Sequence, residues 1–110
     1  MTYAKIIEVI KGIREFASKE YKLSATVRMA IRRNHKALVE EYKIYDEEYR
    51  QLTEGYDEKS AEEKAEINKE LIELLNTKVE VDIQKVPYES LANVDMSLGD
   101  EDLLMFMIEE

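Results

Sequence analysis

The side-chain period changes once between residues 66 and 86, and this change limits the folds that the chain can adopt. Apolar residues first recur at helical spacing, which predicts a helix that ends near Asn76. They then alternate with polar residues, as in a strand that buries one face. The helical positions are Ile67, Leu71, Leu74 and Leu75, and the strand positions are Val79, Val81 and Ile83. Because a strand needs partners for its backbone N–H and C=O groups, a plain coiled coil is excluded.

The first half of the chain predicts two helices. Tyr3–Ala17 carries one apolar stripe, and Gly12 within it either allows a close helix crossing or is tolerated at the surface. A much longer helix is predicted over residues 24–54, because Ser24 is a good N-cap and Gly55 readily takes the left-handed conformation that ends a helix. Its apolar seam keeps heptad spacing over three repeats. The seam consists of Ile31, His35, Leu38, Tyr42, Tyr45, Tyr49 and Leu52.

Two further helix starts are visible in the second half. Ser60 begins a third helix, and Glu63 completes a capping box with it. Because the link over residues 55–59 is short, the second and third helices are expected to form a long antiparallel hairpin. Ser97 begins a last, apolar helix.

A minimal β element is predicted from the strand over residues 78–86. Its partner is left open between residues 94–96 and the N-terminal residues 1–4. The continuous apolar run over 103–108 is expected to be buried on several sides. The predicted fold class is therefore α+β, mostly α, as a single domain over residues 1–110: an N-terminal helix, the hairpin, the β element and a C-terminal apolar helix.

Charge is distributed unevenly along the chain, whose net charge is −9. Residues 1–50 carry a net charge of +3 and residues 51–110 a net charge of −12. An acidic half repels nucleic acid and anionic lipid, so direct nucleic-acid binding is not expected. The favoured interpretation is solubility together with attraction between the two halves, and the alternative is attraction of a basic protein surface. There is no cysteine, no apolar run of membrane-spanning length and no signal-peptide pattern, which predicts a cytoplasmic protein.

No residue pattern supports catalysis or metal binding. His35 is the only histidine, and its place on the seam predicts a hydrogen-bonded core or boundary residue. The oxygen-rich residues 93–102 fail the calcium-loop pattern, since Leu98 and Leu104 occupy the sixth and twelfth positions. No cofactor, metal site or catalytic residue is predicted, and the chain is expected not to be an enzyme.

Three groups of residues are candidates for partner binding. The tyrosines of the long helix and the turn after it are interpreted either as the rim of the hairpin core or as an exposed binding surface. Acidic residues near the third helix present carboxylates where a nucleic acid would present phosphates. Basic residues early in the long helix are expected to pair within the protein or between subunits, with a phosphate ligand as the alternative. The candidates are Tyr42, Tyr45, Tyr49, Tyr56, Glu58, Glu62, Arg28 and Arg32; Arg33 and Lys36 complete the basic cluster.

One near-continuous motif carries a resemblance to a known family. Residues 70–83 read ELIELLNTKVEVDI, a charged helix followed by a short polar link and an alternating strand, and the chain ends in the apolar run LLMFMI at 103–108. In this motif and in its order of elements, the chain resembles a family of small phage and prophage proteins of unknown function. The resemblance implies a phage origin and no particular activity.

The favoured hypothesis is a non-enzymatic phage accessory protein that binds a protein partner. Two targets fit: a host factor, including a defence system such as CRISPR–Cas, or another phage protein during assembly. The first alternative is a structural protein that self-associates as a homo-oligomer. The second is a small nucleotide-binding module that uses the basic cluster.

Overall fold

The computed structural model describes residues 1–109, and these are mostly helical. Four helices are present: α1 (Tyr3–Ala17), α2 (Ala25–Thr53), α3 (Ala61–Leu75) and α4 (Leu98–Leu104). Three short 3-10 turns lie at Tyr56–Glu58, Tyr88–Leu91 and Met105–Met107. The molecule is elongated, measuring 56 × 24 × 19 Å.

Each helix begins where a short polar side chain caps it. Ser24, Ser60 and Ser97 each accept a hydrogen bond from the backbone N–H three residues later, which confirms the three predicted helix starts. Thr2 caps α1 in the same way. After α2, Gly55 takes the left-handed conformation (φ 69°) predicted for it.

The core consists of two connected clusters. The first joins the inner face of α1 to Leu38 and Tyr45 of α2. The second joins Phe16 at the end of α1 to the first turns of α2 and to the C-terminal residues. Ile31, Ile83 and Phe106 pack against both clusters. Within the apolar run over 103–108, Leu104, Met107 and Ile108 are buried as expected, whereas Met105 is 55% exposed.

Gly12 allows a close approach between helices. A Cβ atom at this position would overlap the side chain of Leu103 in α4. Of the two interpretations of this glycine, close helix packing is therefore the one that the structure supports.

The predicted β element is not confirmed, because no sheet forms among the described residues. Residues 79–83 have the predicted alternation of half-buried and exposed side chains, which is typical of extended backbone, but Gln84 breaks the alternation and two isolated bridges replace a ladder. Thr2 pairs antiparallel with Lys78, and Val86 pairs in parallel with Ile108. Thr2 forms only a single bridge, and neither residues 1–4 nor residues 94–96 form a strand, so neither predicted partner strand is confirmed.

The long hairpin is also not confirmed as a separate two-helix unit. α3 contacts α2, but it contacts α1 as well. Its last-turn residues Leu74 and Leu75 pack against the first core cluster. The C-terminal end of α3 is therefore anchored to the body of the protein.

Candidate functional site

The middle of the chain contributes no fully buried side chain. From Asp46 to Lys85, every described residue is half-buried or exposed, and α3 has no buried residue at all. Ordering a residue costs about 1–2 kcal/mol of backbone entropy, which burial normally offsets. We call residues 46–76 the arm: the C-terminal end of α2, the 3-10 turn and α3. The arm is ordered largely without building a core, which makes it the first candidate for an interaction surface.

The arm is strongly acidic. Residues 46–76 contain 11 acidic and 4 basic side chains, a net charge of −7. Two of the basic side chains pair locally, Arg50 with Asp46 at 3.1 Å and Lys59 with Glu63 at 4.0 Å. Glu58 and Glu62 are exposed and form no ion pair with a described residue. The surface therefore presents carboxylates to solvent.

A row of tyrosine rings leads from the core to the base of the arm. Tyr45 lies 5.3 Å from Tyr3, 5.8 Å from Tyr42 and 6.1 Å from Tyr49, measured between ring centroids. Exposure rises along the row, from 8% at Tyr45 to 41% at Tyr49. Tyr45 is therefore a core residue, which corrects its place among the binding candidates, and Tyr42 is half-buried. Tyr49 is the exposed ring of the row.

The inner end of the row is held by a hydrogen bond between α1 and α2. The Tyr3 hydroxyl donates to Glu41 Oε1 at 2.7 Å. Burial, together with this hydrogen bond and the nearby Glu41 charge, raises the pKa of Tyr3 to about 12. Burial and the adjacent Tyr49 also raise the pKa of Tyr45. Both hydroxyls stay protonated at neutral pH, and that of Tyr3 ties α1 to α2.

Tyr56 connects the turn to α3. Its hydroxyl accepts a hydrogen bond from Asn68 Nδ2 at 3.1 Å, and Lys64 Nζ lies 5.4 Å from its ring centroid. The ring is half-buried by these contacts. Much of Tyr56 is thus used inside the arm, whereas the neighbouring Glu58 remains free for a partner.

The basic cluster lies at the other end of α2. Arg28, Arg32 and Lys36 are exposed, and Arg33 donates to Gln84 Oε1 at 3.0 Å. None of these four side chains forms an ion pair with a described residue, so the expected pairing with the acidic half is not found within the protein. Arg28 and Tyr49 are 21 residues apart on one helix, about 32 Å at 1.5 Å per residue. The predicted residues therefore do not form a single surface.

Asn34 is a key residue that the sequence reasoning missed. It is 1% exposed, and its side-chain amide pairs with both backbone groups of one residue. Nδ2 donates to Gln84 O at 2.9 Å, and Oδ1 accepts from Gln84 N at 2.7 Å. Because the amide fills the place of a strand partner, residues 79–85 are held against α2 without a sheet. Its spacing from Ile31 and Leu38 on the apolar seam was the available signal.

A second polar network ties α4 to the segment after α1. Lys19 Nζ donates to Asp100 Oδ2 at 2.8 Å, and the Tyr21 hydroxyl donates to the same oxygen. Hydrogen bonds from Lys19 and Tyr21 lower the pKa of the Asp100 carboxyl, despite its burial. Asp100 borders a groove of about 630 Å³ between α1 and α4. Since its oxygens are used by residues of the fold, we assign the network a structural role.

The only histidine, His35, does not have the surroundings predicted for it. Nε2 of His35 is buried without a hydrogen-bond partner, so the predicted hydrogen bond is not found at this atom. Within residues 1–109, no cluster of three or more histidine, cysteine or carboxylate side chains has a metal-binding arrangement. No helix in the same range is long and apolar enough to cross a membrane.

No protein-family model matches this sequence, and neither a curated protein nor a solved structure shows significant similarity to it.

Proposed function

We propose that this protein is a non-enzymatic binding protein whose arm contacts a basic surface of a protein partner. The observation that carries the proposal is the arm, residues 46–76, which contributes no buried side chain to the core. A large part of the chain that adds little to the core is best explained by contacts outside the protein. In this proposal α2 and α3 act as an antiparallel hairpin that presents the arm.

The chemistry of the arm suits a basic partner. Opposite surface charges speed association and exclude acidic competitors, even where each exposed ion pair adds little affinity. Tyr49 and Ile72 supply exposed apolar area, at 41% and 60% exposure. Tyrosine is enriched among residues that dominate binding energy, which makes Tyr49 the expected anchor. Glu58 and Glu62 are expected to steer the approach.

The biological setting comes from the resemblance to phage and prophage proteins. A phage accessory protein of this kind acts in the cytoplasm of its bacterial host. The proposed partner is a host protein, with a nucleic-acid-binding defence protein such as a CRISPR–Cas component the favoured class. Acidic surfaces occupy nucleic-acid sites by offering carboxylates in place of phosphates.

The test is affinity capture from host lysate with matched charge variants. Tagged wild-type protein, treated with nuclease, is expected to retain one protein partner that the double variant Glu58→Lys/Glu62→Lys loses. The control is Glu89→Lys/Asp95→Lys, which makes the same charge change at exposed residues outside the arm. Equal capture by both double variants, or recovery of the tagged protein alone, would contradict the proposal. Molar mass in solution, measured on the same preparation, separates the latter case into a monomer or a self-associating assembly.

A second candidate function is supported by the unpaired basic cluster. Arg28, Arg32 and Lys36 share one exposed face of α2 and have no ion-pair partner among the described residues. Such a face suits a phosphate group or a nucleotide. Thermal denaturation with a nucleotide panel tests this role. A rise in melting temperature that Arg28→Gln/Arg32→Gln abolishes would support it, and no rise with any nucleotide would exclude it.

A further inference from the structure

The extended segment over residues 79–85 has backbone groups that the protein does not use. Val79 pairs with Met1 through both backbone groups, at 2.7 and 2.9 Å. Gln84 pairs with the Asn34 side chain, and Val86 pairs with the C-terminal residues. Between these points, the N–H and C=O groups of residues 80–83 form no hydrogen bond with any described residue.

The free groups divide between two edges of the segment. In extended backbone, alternate residues direct their N–H and C=O groups to opposite sides. Gln84 faces Asn34 on α2, and Val79, an odd number of residues away, faces the other side, where Met1 lies. Val81 and Ile83 therefore share the edge that Met1 begins to pair.

There is room beside this edge for another strand. A recess of about 590 Å³ is lined by Met1 and residues 79–82. Glu80 and Asp82 are exposed beside it, with side chains on the outer face, while Val79 and Val81 are half-buried on the inner face. An unpaired edge of this kind is a template for strand addition.

The carboxylates of Glu80 and Asp82 determine which strands can pair with this edge. A second copy, paired about a two-fold axis centred on Val81 or Asp82, would place carboxylates opposite carboxylates. Like charges directly opposite each other destabilise a strand pair, whereas opposite charges stabilise it. A foreign strand with basic side chains opposite Glu80 and Asp82 avoids the repulsion. Lys78 and Lys85 are exposed at the two ends, so only the centre of the edge is acidic.

We propose that the edge formed by Val81 and Ile83 binds an extended peptide segment in which basic and apolar side chains alternate. The basic side chains lie over Glu80 and Asp82 on the outer face. The apolar side chains follow Val81 and Ile83 on the inner face. This site is separate from the arm, and it does not depend on the function proposed for the arm.

The test uses a fluorescein-labelled six-residue peptide in which lysine and valine alternate, with the full-length protein. Anisotropy gives the Kd, and amide hydrogen exchange measured by NMR reports the backbone. Binding is expected to protect the amide protons of Val81 and Ile83 from exchange. The variant Glu80→Lys/Asp82→Lys is expected to weaken binding at least about tenfold, because it replaces two favourable cross-strand pairs by repulsive ones.

Two controls separate strand addition from simple charge attraction. A peptide with alternate amides N-methylated keeps its charge but cannot pair at one edge, and it is expected to lose binding. Equal binding of the methylated peptide, or binding without protection of Val81 and Ile83, would overturn the proposal. Protection that appears with increasing protein concentration and no peptide would assign the edge to a second copy instead.

A further variant keeps this test distinct from that of the arm. Glu58→Lys/Glu62→Lys is expected to bind the peptide with unchanged affinity. If it weakens binding as much as Glu80→Lys/Asp82→Lys does, the peptide is recognised by overall charge and the edge proposal fails. The capture experiment on the arm is unaffected by either result.

Discussion

Replacing Asn34 by alanine tests whether one side chain substitutes for a strand partner. The change removes two hydrogen bonds to Gln84, at 2.7 and 2.9 Å, and a weaker one from Nδ2 to Met107 Sδ at 3.8 Å, and it leaves the N–H and C=O of Gln84 without partners. Each hydrogen bond contributes about 0.5–1.5 kcal/mol net, and an unsatisfied buried group costs about 1–3 kcal/mol. Because Gln84 is half-buried, water can partly replace the amide. We expect Asn34→Ala to lower the free energy of unfolding by about 2–3 kcal/mol.

Urea denaturation followed by far-ultraviolet circular dichroism measures this loss. With a slope of about 1–3 kcal/mol per molar urea, typical of small proteins, a loss of about 2–3 kcal/mol lowers the midpoint by about 0.7–3 M. The matched control is Gln84→Ala, which removes the side chain but keeps the backbone groups that Asn34 binds. This control loses only the exposed hydrogen bond from Arg33 and is expected to cost less than about 0.5 kcal/mol.

A second substitution at the same position gives a pH signature. Asn34→Asp keeps an acceptor for Gln84 N–H but directs a carboxylate oxygen at Gln84 O. Burial and the facing carbonyl would raise the pKa of this new carboxyl in the folded state. A raised folded pKa means that the destabilisation is small at low pH and grows as the pH rises through that pKa. Equal losses for Asn34→Ala and Gln84→Ala, or a pH-independent loss for Asn34→Asp, would refute the reasoning.

Three further predictions concern the packing and charges of the body. The Asp100 carboxyl has a lowered pKa in the folded protein. The stability that it contributes is therefore complete above the unfolded pKa of about 3.9 and is lost as the pH falls through the folded pKa. Asp100→Asn should be less stable than wild type at pH 7, and the difference between their urea midpoints should disappear below about pH 4. Gly12→Ala should stabilise α1 by up to about 1 kcal/mol in a Leu103→Ala background but not in wild type, because the Leu103 side chain occupies the space of the new Cβ. Additive effects of the two substitutions in a double-mutant cycle would contradict this packing. Tyr45→Ala should lower the free energy of unfolding by about 3–5 kcal/mol. Tyr49→Ala should lower it by under about 1 kcal/mol and should impair partner capture. Similar free energies of unfolding for the two variants would show that the exposure of these rings does not determine stability.

Local sequence signals predicted the helices well. A capping side chain acts on an N–H only three residues away, so Ser24, Ser60 and Ser97 could be read directly from the sequence. Gly55 takes the left-handed conformation directly after α2 for an equally local reason. The alternation over residues 79–83 also predicted correctly which side chains face inward.

Contacts between distant residues were not predictable in the same way. The alternating pattern implied a strand partner, but apart from the isolated bridges to Thr2 and Ile108 the segment is held by the side chain of Asn34, 50 residues from Gln84. Likewise, the heptad spacing placed Tyr45 and Tyr49 on one seam. Tyr45 is buried because it packs against Tyr3 at the start of α1, whereas Tyr49 lies one turn further along α2 and is exposed. The predicted binding residues therefore divided between core, arm and basic face once tertiary packing was known.

The stretch without buried side chains has a consequence for the length of the arm. The body closes before the arm at the buried Tyr45, and after the arm at Gln84, which binds Asn34 of α2, and at the buried Val86. Lengthening or shortening such an excursion changes the loop-closure entropy only slowly, by about 0.6 kcal/mol for each doubling of length. Inserting one heptad into each of the paired helices would extend the arm by about 10 Å while leaving the body unchanged. The length of the arm is therefore set by the number of heptads in its two helices, and it can change without a change in the fold of the body.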